Sequence, residues 1–446
     1  MRKSFVIVLC LLICGNTLAQ RTYTLRQVID FALHNNIVIR NARNNMDIAK
    51  QQREEAFTKY FPDVSADGLW FNANKGMAKT SLNPSEVIPS SISSTLGTLL
   101  PAEALSALAS PIDISMIKNG TIANVTAVQP VFAGGRIING NKLAKVGEET
   151  SRLQLRLAEK EVEMTAEQYY WQIISLQEKM NTLAAAEDLL NDIYKDVNTA
   201  VNAGVALRND LLQVQLRQNE MKSQKLKLQN GISVTKMIMA QYCGLRDTSF
   251  TLSVNHDIPP TLPPRPDTKA ALVTVTEYQL LNKKVEATKL QKDLAIGQTL
   301  PTIAVGAGYT YHNLLDNNHS FGMVFATVSI PVSGWWSNSH TIKRKTTEYK
   351  KSVDEQHDKA ELLQIRMENA WNNVNECFLQ LEIARQSTAQ AEENLRINRN
   401  LYRAGTVKMA DLLQAQLLYQ QSLNLHTDAY ADYQAKLSEY RLSIGQ

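Results

Sequence analysis

Two aspartates in matching sequence contexts mark the places around which this chain is organised. Asp210 lies in AGVALRNDLLQVQLR, residues 203–217, and Asp411 lies in AGTVKMADLLQAQLL, residues 404–418. In each stretch Ala-Gly ends one helical segment and the aspartate opens the next. A carboxylate at a helix start accepts backbone N–H groups and suits the positive end of the helix dipole. Capping of the helix is therefore one interpretation of each aspartate, and a further role is open at this point.

The two stretches are part of a longer internal similarity. They align at an offset of 201 residues, and the same offset relates Pro130 to Pro331 and Gly244 to Gly445, so that about 115 residues align without a gap. One register held over that length indicates a duplication. The predicted organisation is a first repeat over 20–257, a linker over 258–267 and a second repeat over 268–446. The linker reads IPPTLPPRPD, and its prolines predict a stiff, extended segment.

Composition and motifs exclude several classes of function. The formal net charge is only +4, and no basic stripe indicates a nucleic-acid surface. No Ser/His/Asp set or paired carboxylates stand out, and the seven histidines have no metal-ligand spacing. His312 and His319 flank a predicted hairpin loop and could meet, but solvated loop histidines are the simpler interpretation. The sequence predicts no enzyme, no cofactor and no metal site.

The N-terminal residues predict export. Residues 1–19 have the charged start, apolar run and small-residue cleavage site of a signal peptide. Cys14 follows Ile13, which does not fit lipidation, and the remaining Cys243 and Cys377 form no disulfide framework. No other apolar run reaches about 18 residues, so we expect no spanning helix and expect any membrane segment to consist of strands.

Period-two alternation predicts four strands. Val64, Ala66, Gly68 and Trp70 alternate with more polar residues, and the second repeat shows the same pattern. A Ser/Pro-rich insert at about 75–118 predicts an exposed hairpin loop. Helical segments precede both strand pairs, at 24–60 and at 277–299. The predicted strands are about 63–74, 119–132, 302–312 and 320–332.

Long helical hairpins follow each strand pair, at about 137–243 and 337–443. Apolar residues recur at alternating three- and four-residue spacings, which is typical of a coiled-coil seam. The fold class is therefore mostly α with a membrane β-barrel contribution: coiled-coil hairpins that form an α-barrel, plus four transmembrane strands per chain. Since four strands are too few to close a barrel alone, several copies must pool their strands.

The chain resembles the TolC-like outer membrane efflux protein (outer membrane factor) family. The resemblance is carried by QPVFAGGR at 129–136, its weaker echo IPVSGWWS at 330–337, and RAGTVKMADLLQAQ at 403–416. It implies a homotrimer in the outer membrane of a Gram-negative cell, extending into the periplasm. It further implies an exit duct that carries drugs or other small molecules and joins an inner-membrane transporter through a periplasmic adaptor (membrane fusion) protein.

The resemblance also assigns roles at the hairpin turns. Asp411 matches the aspartate that constricts the periplasmic mouth, and the expected gate comprises Asp411, Asp210, Gln414, Gln213 and Tyr402. Gln414 stands where some relatives have a second aspartate. The turns would dock the adaptor through Gly204, Val205, Ala206, Leu207, Arg208, Gly405, Thr406, Val407, Lys408 and Met409. Val407 stands where some relatives have an arginine, although Lys408 and Arg208 are near.

Two other functions remain as alternatives. The duct could serve a protein secretion system, because the helical wall carries no residue pattern that separates small molecules from polypeptides. A non-conducting periplasmic coiled-coil scaffold is the alternative from another class, and it would lack the duplicated strand pairs.

Overall fold

The computed structural model describes residues 21–83, 92, 112–253, 259–314 and 317–445, so the predicted signal peptide lies outside it. The chain divides into two compact units. The helical unit comprises Met1–Gln51, Val146–Ala287 and Lys350–Gln446, and the sheet unit comprises Gln52–Lys145 and Thr288–Tyr349. Among the helices of the described ranges, none is both long and apolar enough to cross a lipid bilayer.

Helices make up most of the described chain, which confirms the predicted fold class. The helices are α1 (Leu25–Asn35), α2 (Ile37–Thr58), α3 (Arg136–Asn202), α4 (Arg208–Cys243), α5 (Thr268–Leu272), α6 (Thr276–Gly297), α7 (Gly334–Arg403) and α8 (Met409–Ser443). The strands are β1 (Thr22–Tyr23), β2 (Asp63–Asn72), β3 (Ala78–Leu82), β4 (Ile112–Met116), β5 (Asn119–Ala133), β6 (Thr251–Leu252), β7 (Thr302–Leu314) and β8 (Asn317–Ser329).

The first helical segment, predicted as one helix over 24–60, is broken at Asn36. Thr24 forms the expected capping box with Gln27, whose side chain accepts from the Thr24 N–H at 3.0 Å. Asn36 is extended, and its side chain accepts from the Val38 N–H at 2.8 Å and donates to the Tyr242 carbonyl at 3.0 Å. The break therefore depends on a residue distant in sequence, and the helical pattern alone does not show it.

The sheet unit contains a four-stranded antiparallel sheet in the order β2-β5-β7-β8. The register aligns Val64 with Ala127, Ala127 with Ala307, and Ala307 with Val324, so the predicted alternating residues lie on one apolar face. The opposite face is more polar: Ser65 and Thr126 share a hydrogen bond of 3.3 Å. The apolar face carries Val64, Ala66, Val125, Ala127, Ile303, Val305, Ala307, Tyr309, Val324 and Val328.

The insert at about 75–118 differs from the predicted loop. Its two ends pair as an antiparallel sheet of β3 and β4, with Ala78 opposite Met116 and Leu82 opposite Ile112. The residues between them, apart from residues 83 and 92, lie outside the described ranges. The prediction failed at the ends because prolines and serines elsewhere in the insert dominated its composition.

The helical unit contains the two hairpins, α3–α4 and α7–α8. The apolar seam of each long helix is buried, as the three-and-four spacing predicts. Val28 and Ala32 of α1 pack against the first hairpin, and their side chains are fully buried. The buried seam residues are Val162, Ala166, Ile173, Leu183, Leu190 and Val197 in α3, and Leu363, Met367, Ala370, Val374, Leu381, Ala384 and Leu395 in α7.

The proline-rich linker lies along the second hairpin and is held by donated hydrogen bonds. The Tyr433 hydroxyl donates to the Thr261 carbonyl at 2.7 Å, and Tyr440 donates to the Pro264 carbonyl at 2.9 Å. The Trp371 ring N–H donates to the Pro263 carbonyl at 3.1 Å. Because proline has no N–H, the segment accepts hydrogen bonds through its carbonyls.

Glu167 is a buried carboxylate in the same unit. It is 9% exposed, and burial raises its pKa from 4.5 to about 7. Arg441 of α8 opposes the rise, Glu163 of its own helix adds to it, and Lys160 opposes it. Since the folded pKa lies above the unfolded value, the folded chain holds the proton more tightly. Stability therefore falls as pH rises from about 4.5 to about 7.

We expect Glu167→Gln to remove this part of the pH dependence and to raise stability above pH 7. The size of the shift corresponds to at most about 3 kcal/mol. Thermal unfolding followed by circular dichroism between pH 4 and pH 8, compared with the parent chain, measures the difference. Glu159→Gln, at a half-exposed position two turns earlier on the same helix, is the matched control. Equal curves for Glu167→Gln and the parent would contradict the assignment.

Candidate functional site at the hairpin turns

Each long helix ends in the same hydrogen-bonded turn. Gly204 and Gly405 have left-handed backbones, with φ of 75° and 72°. In the first turn the Val205 N–H donates to the Ala200 carbonyl at 2.9 Å, and the Gly204 N–H donates to the Val201 carbonyl at 3.0 Å. Thr406 and Gly405 make the equivalent pair of bonds in the second turn. This pair of bonds defines a Schellman motif, which needs the left-handed glycine.

The two aspartates occupy the same helical position but make different contacts. The Asp411 carboxylate accepts from the Lys408 backbone N–H at 3.2 Å, so it caps the start of α8. At the start of α4, Leu207 provides no side-chain cap, and Asp210 lies in the first turn. Asp411 is exposed and Asp210 is half-buried. Capping is therefore shown for Asp411, whereas Asp210 faces the other hairpin.

A cleft of about 530 Å³ lies between the two turns of one chain. Asp210, Asp196 and Tyr402 line it, together with Arg399 and Arg403. Burial raises the pKa of the Tyr402 hydroxyl, and the charges of Asp210 and Asp196 add to the rise. The structure thus brings together two carboxylates and a neutral phenol, which could form a polar contact between the hairpins. Of the predicted gate residues, Tyr402 and Asp210 line this cleft, while Asp411, Gln213 and Gln414 do not.

The turn residues predicted to dock a partner divide into exposed and buried members. Val205 and Leu207 are 80% and 70% exposed, and Arg208, Gly204, Gly405, Thr406 and Lys408 are also exposed. Ala206 and Val407 are half-buried. Met409 differs, because it is 1% exposed and packs with Leu412 in the core between the hairpins. Its side chain therefore stabilises the turn and is not part of the surface that a partner could reach.

A buried polar cluster two turns from Asp210 and Asp411 was missed by the sequence reasoning. Arg217 of α4 donates to the side-chain oxygens of Gln416 at 3.4 Å and Gln420 at 3.2 Å, both on α8. Gln420 in turn donates to Gln224 at 3.3 Å. Gln416 is only 1% exposed. The available signal was the pair of glutamines four residues apart within the otherwise apolar seam of α8.

Within the ranges that the structure describes, no group of three or more His, Cys, Asp or Glu side chains could hold a metal ion. Cys243 and Cys377 are free thiols; the first is buried. His312 and His319 face each other across β7 and β8 with ring centroids 5.4 Å apart.

Comparison with known proteins gives the class of this fold. The crystal structure of the outer membrane protein VceC from Vibrio cholerae matches with a TM-score of 0.73 at 15% identity, covering 94% of this chain and 96% of that chain. The CmeC outer membrane channel of Campylobacter jejuni matches with a TM-score of 0.75 at 14% identity, over 94% of this chain and 85% of that one. The MtrE outer membrane channel of Neisseria gonorrhoeae, solved in an open state, matches with a TM-score of 0.73 at 13% identity, over 94% and 88%. The fold is that of the outer-membrane channels.

The second half of the chain matches a known family. Residues 279–446 match the family model described as "Outer membrane efflux protein". The comparison with curated protein sequences finds no match. The resemblance to the outer membrane efflux proteins, first seen in the hairpin turn at 403–416, is thereby confirmed, and these proteins are channels rather than enzymes.

We expect Gly405→Val to loosen the second turn. A Cβ at this position would meet no atom within 4 Å, so the cost comes from the left-handed backbone alone, on the order of 1–2 kcal/mol. Hydrogen exchange of the Gly405 and Thr406 amides, which close the motif, should accelerate roughly tenfold. Ala410→Val, at an exposed helical position nearby, is the control; unchanged exchange in Gly405→Val would contradict the motif's dependence on glycine.

Proposed function

We propose that this chain is the outer-membrane exit duct of a tripartite export system and works as a homotrimer. The observation that carries the proposal is the four-stranded sheet, whose outer strands β2 and β8 have no partner strand beyond them in the described chain. These strands are 10 and 13 residues long, the length needed to cross a bilayer at a tilt. Unpaired backbone groups at such edges cannot remain in hydrocarbon, so the edges must pair with other copies.

The geometry of the sheet supports pairing between copies. Because consecutive strands are antiparallel, β2 and β8 run in opposite directions. β8 of one copy can therefore pair antiparallel with β2 of the next, as every neighbour in the sheet already does. Three copies with four strands each would give a closed sheet of twelve strands. A closed sheet has no edge left to expose.

The two faces of the sheet suit lipid outside and water inside. Val64, Val324 and Val328 lie on the apolar face and are exposed. On the other face the Thr310 hydroxyl donates to the Asn124 side chain at 3.0 Å. Trp335 and Trp336 at the start of α7 are also exposed. Tryptophan at this place, just after the last strand, suits the interface between lipid and water.

The hairpin turns would form the periplasmic entrance. Asp210 and Asp411 from three copies would place a ring of carboxylates at the mouth, which attracts cations and narrows the opening. The exposed Val205, Leu207 and Lys408 would contact the periplasmic adaptor protein, which joins the duct to an inner-membrane transporter. The proposed cargo is small molecules, including drugs. The similarity of residues 279–446 to outer membrane efflux proteins supports the proposed export of small molecules.

Single-channel recording in a planar bilayer tests the duct and its gate together. We expect the parent protein to show a small, cation-selective conductance. Asp210→Asn/Asp411→Asn removes both charges and leaves the amide able to cap the helix, so we expect the conductance to rise and the cation selectivity to weaken. The control is Asp188→Asn/Asp354→Asn, which removes two exposed charges from α3 and α7.

The outcomes separate the parts of the proposal. A correctly assembled oligomer without any channel would overturn the duct and favour a scaffold. A channel whose conductance and selectivity are the same in both double variants would keep the duct, restrict Asp411 to its capping role and restrict Asp210 to the cleft beside Tyr402.

A further inference from the structure

The two hairpins of one chain are joined by polar contacts along α8. The Lys179 ammonium of α3 lies 2.6 Å from the Asp428 carboxylate of α8. The Ser175 hydroxyl donates to the same carboxylate at 3.0 Å. Closer to the turns, Arg217 of α4 binds Gln416 and Gln420 of α8. Hairpin one therefore presents α3 and α4, and hairpin two presents α8, at the interface within the chain.

A ring that alternates first and second hairpins has a second kind of interface. The second hairpin of one copy would there meet the first hairpin of the next copy. Positions related by the 201-residue offset have equivalent local structure, as the matched turns at Gly204 and Gly405 show. The same holds for Gly244 and Gly445, with φ of 69° and 81°. Each contact within the chain therefore indicates which residues face each other between copies.

The contact around Asp428 translates into a new pair of opposite charges. Ser175 corresponds to Glu376 on α7, and Asp428 corresponds to Lys227 on α4. The anion of α8 is thus matched by a cation on α4, and the neutral Ser175 by an anion on α7, so the translated contact again joins opposite charges. Lys227 and Glu376 are both exposed in the single chain. Gln380, which corresponds to Lys179, donates to the Glu376 carboxylate at 3.0 Å and holds it in place.

The α4 side of the buried polar cluster translates into apolar residues of α8, whereas Gln416 and Gln420 translate into the polar Gln215 and Asn219 of α4. Arg217 corresponds to Leu418 and Gln224 corresponds to Leu425, and these leucines are 42% and 62% exposed. On α4, Leu212 and Leu216 are exposed, although the corresponding Leu413 and Leu417 of α8 are half-buried. Exposed leucines at both predicted faces, beside complementary charges, fit a surface that another copy covers.

We propose that the face of α7 and α8 bearing Glu376, Leu418 and Leu425 binds the α4 face bearing Lys227 in a second copy of this chain. Glu376 and Lys227 of the partner subunit form an ion pair there. The inference rests on the ring of copies in the proposed function and adds the contact surface. The two interfaces of the ring then differ in chemistry: within a chain a buried polar cluster lies beside the apolar core that contains Met409 and Leu412, whereas between chains exposed leucines lie beside a charge pair.

Cysteine pairs test which residues face each other. Lys227→Cys and Glu376→Cys are made separately, each with Cys377→Ser, and the two differently tagged chains are co-expressed. The related Ser175 and Asp428 touch through short side chains, so cysteines at 227 and 376 should lie within disulfide reach. Oxidation should give a mixed covalent dimer, and a chain with both cysteines should give a covalent trimer. The control is Lys222→Cys combined with Glu376→Cys, because Lys222 is also exposed on α4. This pair should give neither the covalent dimer nor the covalent trimer.

A charge exchange gives an independent measurement. We expect Glu376→Lys to lower the temperature at which the detergent-solubilised trimer dissociates, because two cations would then face each other. Adding Lys227→Glu should restore it. A protein that is trimeric by mass, yet forms no 227–376 crosslink and shows no restoration, would overturn the inference and leave the proposed function intact. A protein that stays monomeric would overturn the trimeric duct itself.

Discussion

The need to satisfy backbone hydrogen-bonding groups at the edges of the sheet governs how this protein can be assembled. Within one chain, β5 and β7 are paired on both sides, whereas β2 and β8 are each paired on one side only. In water such edges would be a hazard for aggregation, and in lipid they would be far more costly. The proposed trimer would pair these edges between copies.

The two hairpins have similar turns but differ in the contacts that their side chains make. The two turns share the same Schellman bonds and the same left-handed glycine, yet Asp411 caps its helix and Asp210 lines a cleft beside Tyr402. Likewise Arg217 is replaced by leucine at the related position in the second half. In the proposed ring, each half would have a different neighbour. An internal repeat of this kind can build a ring with two types of interface, which a chain with one hairpin could not do.

Much of this could be predicted from the sequence because local periodicity reports local structure. The alternation from Val64 to Trp70 and the three-and-four spacing of α3 indicate a strand and a coiled-coil helix, as found. The break at Asn36 could not be predicted, because it depends on the Tyr242 carbonyl far along the chain. The burial of Met409 and the cluster around Arg217 depend on how two hairpins pack together. Sequence similarity placed the candidate site at the turns, and only packing distinguishes which of its side chains face solvent.

The linker between the two halves has a consequence for how strongly they associate. Tyr433, Tyr440 and Trp371 fix its carbonyls on the second hairpin, so the first hairpin is tethered at short range and its effective concentration is high. An interface formed under such a tether can contain a buried arginine and two glutamines, which select the correct register at the expense of binding strength. In the proposed trimer, separate copies would have no tether and would meet only at the concentration of the protein in the cell. Their interface would have to supply the association energy itself, and leucines at 418 and 425 suit that requirement better than an arginine would.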